Sequence, residues 1–118
     1  MSYDDNNIFA KILRGEIPCK KVFENDYVLA FHDINPQKKI HVLIIPKGEY
    51  VDFDDFNSKA SDKEVVEFSK AITHVANLMG SKDKGYRTLT NIGNDGGQEV
   101  PHLHFHVFAG EKIGKMVN

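Results

Sequence analysis

The chain has no tryptophan and a single cysteine, Cys19, among 118 residues. One cysteine cannot close an internal disulfide or assemble a thiolate zinc site, so stability must come from a packed core. Following Pro18 in a turn-like stretch, Cys19 reads as an inert thiol. An excess of either charge is missing too: Lys and Arg number 15 against 17 Asp and Glu, a formal net charge of -2. No global basic field gathers nucleic acid, and the pairs Lys20-Lys21 and Lys38-Lys39 read as solvated surface. No apolar run approaches the ~18 residues that cross a bilayer. Residues Met1 to Asn7 are polar, with neither a basic n-region nor an apolar h-region, which argues against a signal peptide. The expectation is a cytoplasmic protein with no nucleic-acid or membrane partner. A 41% hydrophobic, 27% charged composition is that of a globular chain, and its length suits a single domain over residues 1–118.

Local patterning supplies the elements. Ile8 to Arg14 reads as a short helix with Ile8/Ile12 and Phe9/Leu13 paired four apart; Gly15 stops it and Pro18 prevents resumption. Val22 to Glu24 and Tyr27 to His32 read as strands, the second placing Val28, Ala30 and His32 on one face and Leu29 and Phe31 on the other. Asp33 to Pro36 is turn chemistry. The apolar run inside Ile40 to Ile45 predicts a central strand covered on both faces. Asp52 to Asn57 is acidic and aromatic, about one helical turn. Ser61 and Glu64 have the spacing of a capping box, and Val65, Phe68, Ile72, Val75 and Met79 follow at helical spacing until Gly80. His74 falls on the solvated face of that helix. Tyr86 to Asn91 and Leu103 to Phe108 read as strands around a loop, Ile92 to Gln98. The sum predicts an α+β domain: a five-stranded antiparallel sheet with a short N-terminal helix and one long helix.

The most unusual feature is His102-Leu103-His104-Phe105-His106. On a strand, alternate residues share a face, so the three histidines form one row and Leu103, Phe105 and Val107 the opposite, core-facing row. Three readings attach to that row. It could be a polar strand face and nothing more. It could hold zinc, although the outer two histidines of such a row stand ~13 Å apart, so a third ligand would have to come from His41, His32 or a carboxylate. Or it could act through imidazole itself, a competent nucleophile and proton carrier at neutral pH that an anionic phosphate does not repel. Phosphoryl chemistry needs donors aimed at the charge it gathers. Just upstream, Asn94-Asp95-Gly96-Gly97-Gln98 can turn backbone N–H groups inward, both glycines accepting positive φ.

Together these features resemble the histidine triad superfamily, whose motif alternates three histidines with apolar residues and ends on two apolar positions. His102-Leu103-His104-Phe105-His106-Val107-Phe108 matches it throughout. The resemblance extends over Ile8–Ile12, Gly15–Pro18, Ala30–Gln37, His41–Lys47 and Asn91–Gln98, and within the superfamily is strongest to the Hint branch of nucleoside phosphoramidase-like, nucleotide-binding proteins. It implies His104 as the nucleophile, His102 and His41 as orienting groups, and His106 as a phosphate contact. It implies phosphoryl or leaving-group contacts from Asn91, Gly97 and the backbone near Glu99, a ribose contact from Asp33, and a base pocket of Ile8, Phe9, Ile12, Phe31, His32 and Ile34. It also implies a homodimer joined through the central sheet, to which the apolar third strand and the Val65–Met79 helix could contribute.

The expected function is therefore hydrolysis or transfer of purine nucleoside phosphoramidates or related nucleotide conjugates through a nucleotidyl-His104 intermediate, with a small nucleotide as partner and no cofactor or metal. The chain departs from the family pattern at Glu99, where some members carry a hydroxyl residue, and at Pro101, which suggests dinucleoside polyphosphate hydrolysis as a second reading. A nucleotide-binding regulatory module with little turnover is the rival from another class.

Overall fold

Alternation of side chains along five antiparallel strands gives a sheet with two unlike faces, and that asymmetry creates the site. The computed structural model describes residues 2–117; Met1 and Asn118, the ends of the expected domain, lie outside the described residues. The elements run α1 (Ile8–Leu13), β1 (Lys21–Glu24), β2 (Val28–His32), β3 (Ile40–Pro46), α2 (Phe53–Lys59), α3 (Asp62–Leu78), β4 (Arg87–Leu89) and β5 (Phe105–Ala109). The strands lie in the order β1-β2-β3-β5-β4, each pair antiparallel. The predicted α+β architecture is present. The Asp52–Asn57 stretch forms more than one turn: α2 runs seven residues, with Asp52 accepting from the Asp55 N–H as its N-cap.

One face packs against the long helix. Val28, Ala30, Val42, Ile44, Leu103 and Val107 meet Phe56 of α2 and Phe68, Ala71, Val75 and Ala76 of α3 in one buried cluster. The capping box is formed: Ser61 accepts from the Glu64 N–H and the Glu64 carboxylate accepts from the Ser61 N–H. His74 is exposed as expected, although its ring lies edge-on to Phe23 at 4.8 Å. On the other face Phe9 of α1 packs on Leu29, Phe31, Leu43 and Ile45, with Cys19 and Val100 at the margins. Six residues of helix cannot cover this face of the sheet, and the uncovered part is a cleft.

The structure refines two expectations. The third strand is central, as its apolar run predicts, but it is hydrogen-bonded on both edges, to β2 and β5, and Val42 to Ile45 are buried. Its apolar run is used within the chain, Val42 and Ile44 in the cluster under α2 and α3, Leu43 and Ile45 in the cluster under α1. The free edges belong to β1 and β4. Secondly, the last strand begins at Phe105, not Leu103, and β4 spans three residues. His102 and His104 sit in the turn that leads into β5. Their alternation persists nonetheless, because Leu103, on the opposite parity, is held in the helical core, its N–H donating to the Tyr50 carbonyl at 2.8 Å.

Candidate active site

Parity places four histidines together. His41 on β3 and His106 on β5 point to the α1 face, since Leu43, two residues from His41, pairs directly with His106. Their rings meet: His41 Nε2 lies 2.9 Å from His106 Nδ1. His104 stands next to His106, with ring centroids 5.2 Å apart, and Phe9 closes over His104 edge-on at 4.9 Å. His102 is fully buried behind it, between Tyr3, Phe9 and the end of β3.

The hydrogen bonds decide which nitrogen carries each proton. A carbonyl oxygen only accepts, so His104 Nδ1, 2.8 Å from the His102 carbonyl, must be the protonated nitrogen. Its Nε2 therefore carries a free lone pair. On His41, Nδ1 accepts from the Gln37 N–H at 3.1 Å, which places the hydrogen on Nε2, where it is donated to His106 Nδ1. His106 in turn carries its hydrogen on Nε2. Asp33 Oδ2 stands 3.4 Å from His41 Nε2 and steadies this arrangement, while Asp33 Oδ1 accepts from the Asn35 N–H and holds the turn.

Burial keeps these rings neutral. It pushes His102 and His106 down to about 4, with neighbouring histidines adding to the effect. His104 is lowered by the same desolvation, only partly opposed by the carbonyl bond and the charges of Asp33 and Glu99, and His41 is lowered by burial against the pull of Asp33. At neutral pH the group therefore offers one lone-pair donor, His104 Nε2, beside one hydrogen donor, His106 Nε2–H. Asp33, His41 and His106 also bring ligand atoms within 4.8 Å of one another. A cation there would have to displace the hydrogen shared by the two rings, so the arrangement suits a proton relay better than a metal seat.

These groups open into a cleft of about 890 Å³, within the ~300–1,000 Å³ range of small-molecule sites. Of the residues singled out in the sequence, Ile8, Phe9, Ile12, Phe31, His32, Asp33, Ile34, His41, Glu99, His104 and His106 line it. His102, Asn91 and Gly97 do not. The 93–97 turn is closed on itself: the Gly97 N–H donates to the Asn94 carbonyl, and Gln98 braces the turn through Gly93 and through the Val51 and Val100 carbonyls. The two glycines serve that turn for different reasons. Gly97 has φ +76°, whereas Gly96 does not take positive φ; a Cβ there would meet the Ile92 carbonyl oxygen at 2.4 Å. Sequence reasoning missed Leu43, Val100, Pro36 and Lys39 as wall residues. Leu43 was accessible by parity with His41, but nothing local marks Val100. Cys19 also lies on the wall, and burial pushes its thiol above the usual range, so it stays protonated and unreactive at neutral pH.

The chain is similar to known proteins along nearly its whole length. The family model for the HIT domain matches residues 14–113. An uncharacterised 13.2 kDa HIT-like protein of Azospirillum brasilense is 57% identical over 98% of this chain and 95% of that protein. Among solved structures, a histidine triad protein from Clostridium difficile is 43% identical, covers 98% of both chains and superposes with a TM-score of 0.83. A HIT family hydrolase from Clostridium thermocellum is 36% identical over 98% of this chain and 99% of its own, with a TM-score of 0.87.

Proposed function

Because the chain belongs to the HIT domain family, we propose that it is a Hint-like nucleotide hydrolase that cleaves purine nucleoside phosphoramidates or related conjugates through a nucleotidyl-His104 intermediate. The observation that carries this reading is the fixed tautomer of His104: Nδ1–H is held by the His102 carbonyl, so the Nε2 lone pair faces the cleft beside a hydrogen donor. His104 Nε2 attacks the α-phosphorus, the bond to the leaving nitrogen breaks, and that nitrogen departs as the amine with a proton taken from solvent in the open cleft, which the hydrolytic water later returns. Water then attacks the same phosphorus, the P–N bond to His104 breaks, and nucleoside monophosphate leaves. His106 Nε2–H donates to the phosphoryl oxygen that gathers charge, with His41 and Asp33 holding its orientation.

The remaining walls suit a nucleoside. Ile8 is 44% and Ile34 98% exposed; with Phe9, Ile12, Phe31 and His32 they present apolar surface that a purine would cover. Asp33, whose oxygens are only partly engaged, accepts from the ribose hydroxyls. Asn91 and Gly97 contact the phosphoryl oxygens or the leaving group in the same reading. Glu99 sets the leaving group in this reading. Its carboxylate on the cleft wall favours a departing amine, which gains a proton, over the anionic phosphate released from a dinucleoside polyphosphate.

The test is to incubate the protein with adenosine phosphoramidate, quench, and search for adenylyl-His104 by mass spectrometry. The adduct is expected in the wild type and absent in His104→Ala. Full turnover by His104→Ala would end the assignment, and tight monophosphate binding without turnover would favour the regulatory module. A homodimer belongs to the same proposal; sedimentation equilibrium should return twice the chain mass.

A further inference from the structure

The segment before α1 contains Tyr3, which among the described residues is the tyrosine bonded to the histidine cluster, 99 positions from His102. Tyr3 Oη lies 2.6 Å from His102 Nδ1, and its ring stands edge-on to the imidazole at 5.6 Å. The other ring nitrogen, His102 Nε2, is 2.9 Å from the Pro46 carbonyl, which can only accept. Nε2 therefore carries the hydrogen and Nδ1 a lone pair, so Tyr3 is the donor in the 2.6 Å bond. The Tyr3 oxygen in turn accepts from Asn7 Nδ2 at 3.0 Å, and Asn7 Oδ1 accepts from the Ala10 N–H as the N-cap of α1. One chain of bonds thus joins the cap of the helix that walls the cleft to the residue whose carbonyl aims His104.

We propose that Tyr3 is a positioning residue: its hydroxyl holds His102 as the Nε2–H tautomer, anchored to Pro46, and so sets the carbonyl that directs the His104 lone pair into the cleft. Without the hydroxyl, His102 Nδ1 is a buried acceptor with no partner, and the ring gains a reason to flip or exchange tautomer. A flip would break the Pro46 bond and release the 101–104 turn. Burial keeps both partners in the required protonation states, lowering His102 and raising Tyr3. A tyrosine that merely filled space would need only its ring, which phenylalanine supplies.

The inference rests on His104 as nucleophile, and the test separates the two. Nitrogen-resolved NMR of the wild type should show His102 as the Nε2–H tautomer with a hydrogen-bonded Nδ1; the opposite tautomer overturns the proposal whatever the activity. In Tyr3→Phe, the His102 Nδ1 resonance should move to the position of an unbonded nitrogen or split between tautomers. On adenosine phosphoramidate, kcat should fall about tenfold, ~1.4 kcal/mol of barrier, with KM changed by less than about twofold. Wild-type kcat together with unmoved His102 resonances in Tyr3→Phe overturns the positioning role. If the wild type turns over no conjugate, the nucleophile reading fails, while the tautomer measurement still decides whether Tyr3 locks His102.

Discussion

The two faces of the sheet are made by the same strands and differ in everything else. Toward α2 and α3, every second residue is apolar and the space between is filled by Phe56 and Phe68, whose rings meet at 5.2 Å. Toward α1, His41 of β3 and His106 of β5 stand with His102 and His104 just before β5, each hydrogen-bonded, beside an open cleft. The helical face gains its stability from area removed from water; the cleft face holds polar groups whose burial is tolerable only because each ring finds partners. Stability and chemistry are separated across the thickness of one sheet.

The strongest way to break the separation is His104→Ala. Turnover should drop at least ~10³-fold, about 4 kcal/mol of transition-state stabilisation, while stability falls only by about 1–3 kcal/mol as the His102 carbonyl loses its donor. A steady-state assay beside a thermal melt reads both, and a melting temperature that collapses with activity would show that the faces are not independent.

Phe68→Ala attacks the opposite face. Phe68 is 2% exposed and touches Phe56 and Phe105, so denaturant unfolding should register a loss of about 3–5 kcal/mol, with kcat of the folded fraction unchanged. A kcat that fell in proportion to stability would argue for coupling through β5.

Acid should act first on the cleft face. His102, His104, His106 and His41 all titrate lower in the fold than the ordinary histidine value. Between pH 6.5 and 4 the unfolded chain therefore binds more protons than the native protein, and stability is full above 6.5 and lost as pH falls toward 4. For His102, lowered to about 4, the difference is about 3 kcal/mol. Urea midpoints that stay flat from pH 7 to 4.5 would contradict this.

The smallest effect sharpens the comparison. Asn7→Ala removes the α1 cap, costing about 1 kcal/mol, and frees the helix that forms the cleft wall. KM for the nucleotide conjugate should rise more than kcat falls. Equal losses in both would place the role of Asn7 with Tyr3 and His102 and not with the wall.

Much of this was legible locally. Gly15 at φ +80°, the Ser61–Glu64 box and the alternation of the histidines all act within a few residues, and such signals survive whatever surrounds them. The alternation even outlasted the loss of strand structure at His102 and His104. Less was legible in the 93–97 turn, whose shape is braced by Gln98 donating to the Val51 carbonyl, 47 residues away. Nothing near Tyr3 announces His102.

By itself the sequence determined that His102, His104 and His106 share one face, because side-chain period is a property of the local backbone. The tertiary structure decided which nitrogen of each histidine is free. That depends on acceptors and donors brought from far along the chain, Pro46 and Tyr3 to His102 and His106 to His41 across 65 positions, and no local pattern encodes those meetings.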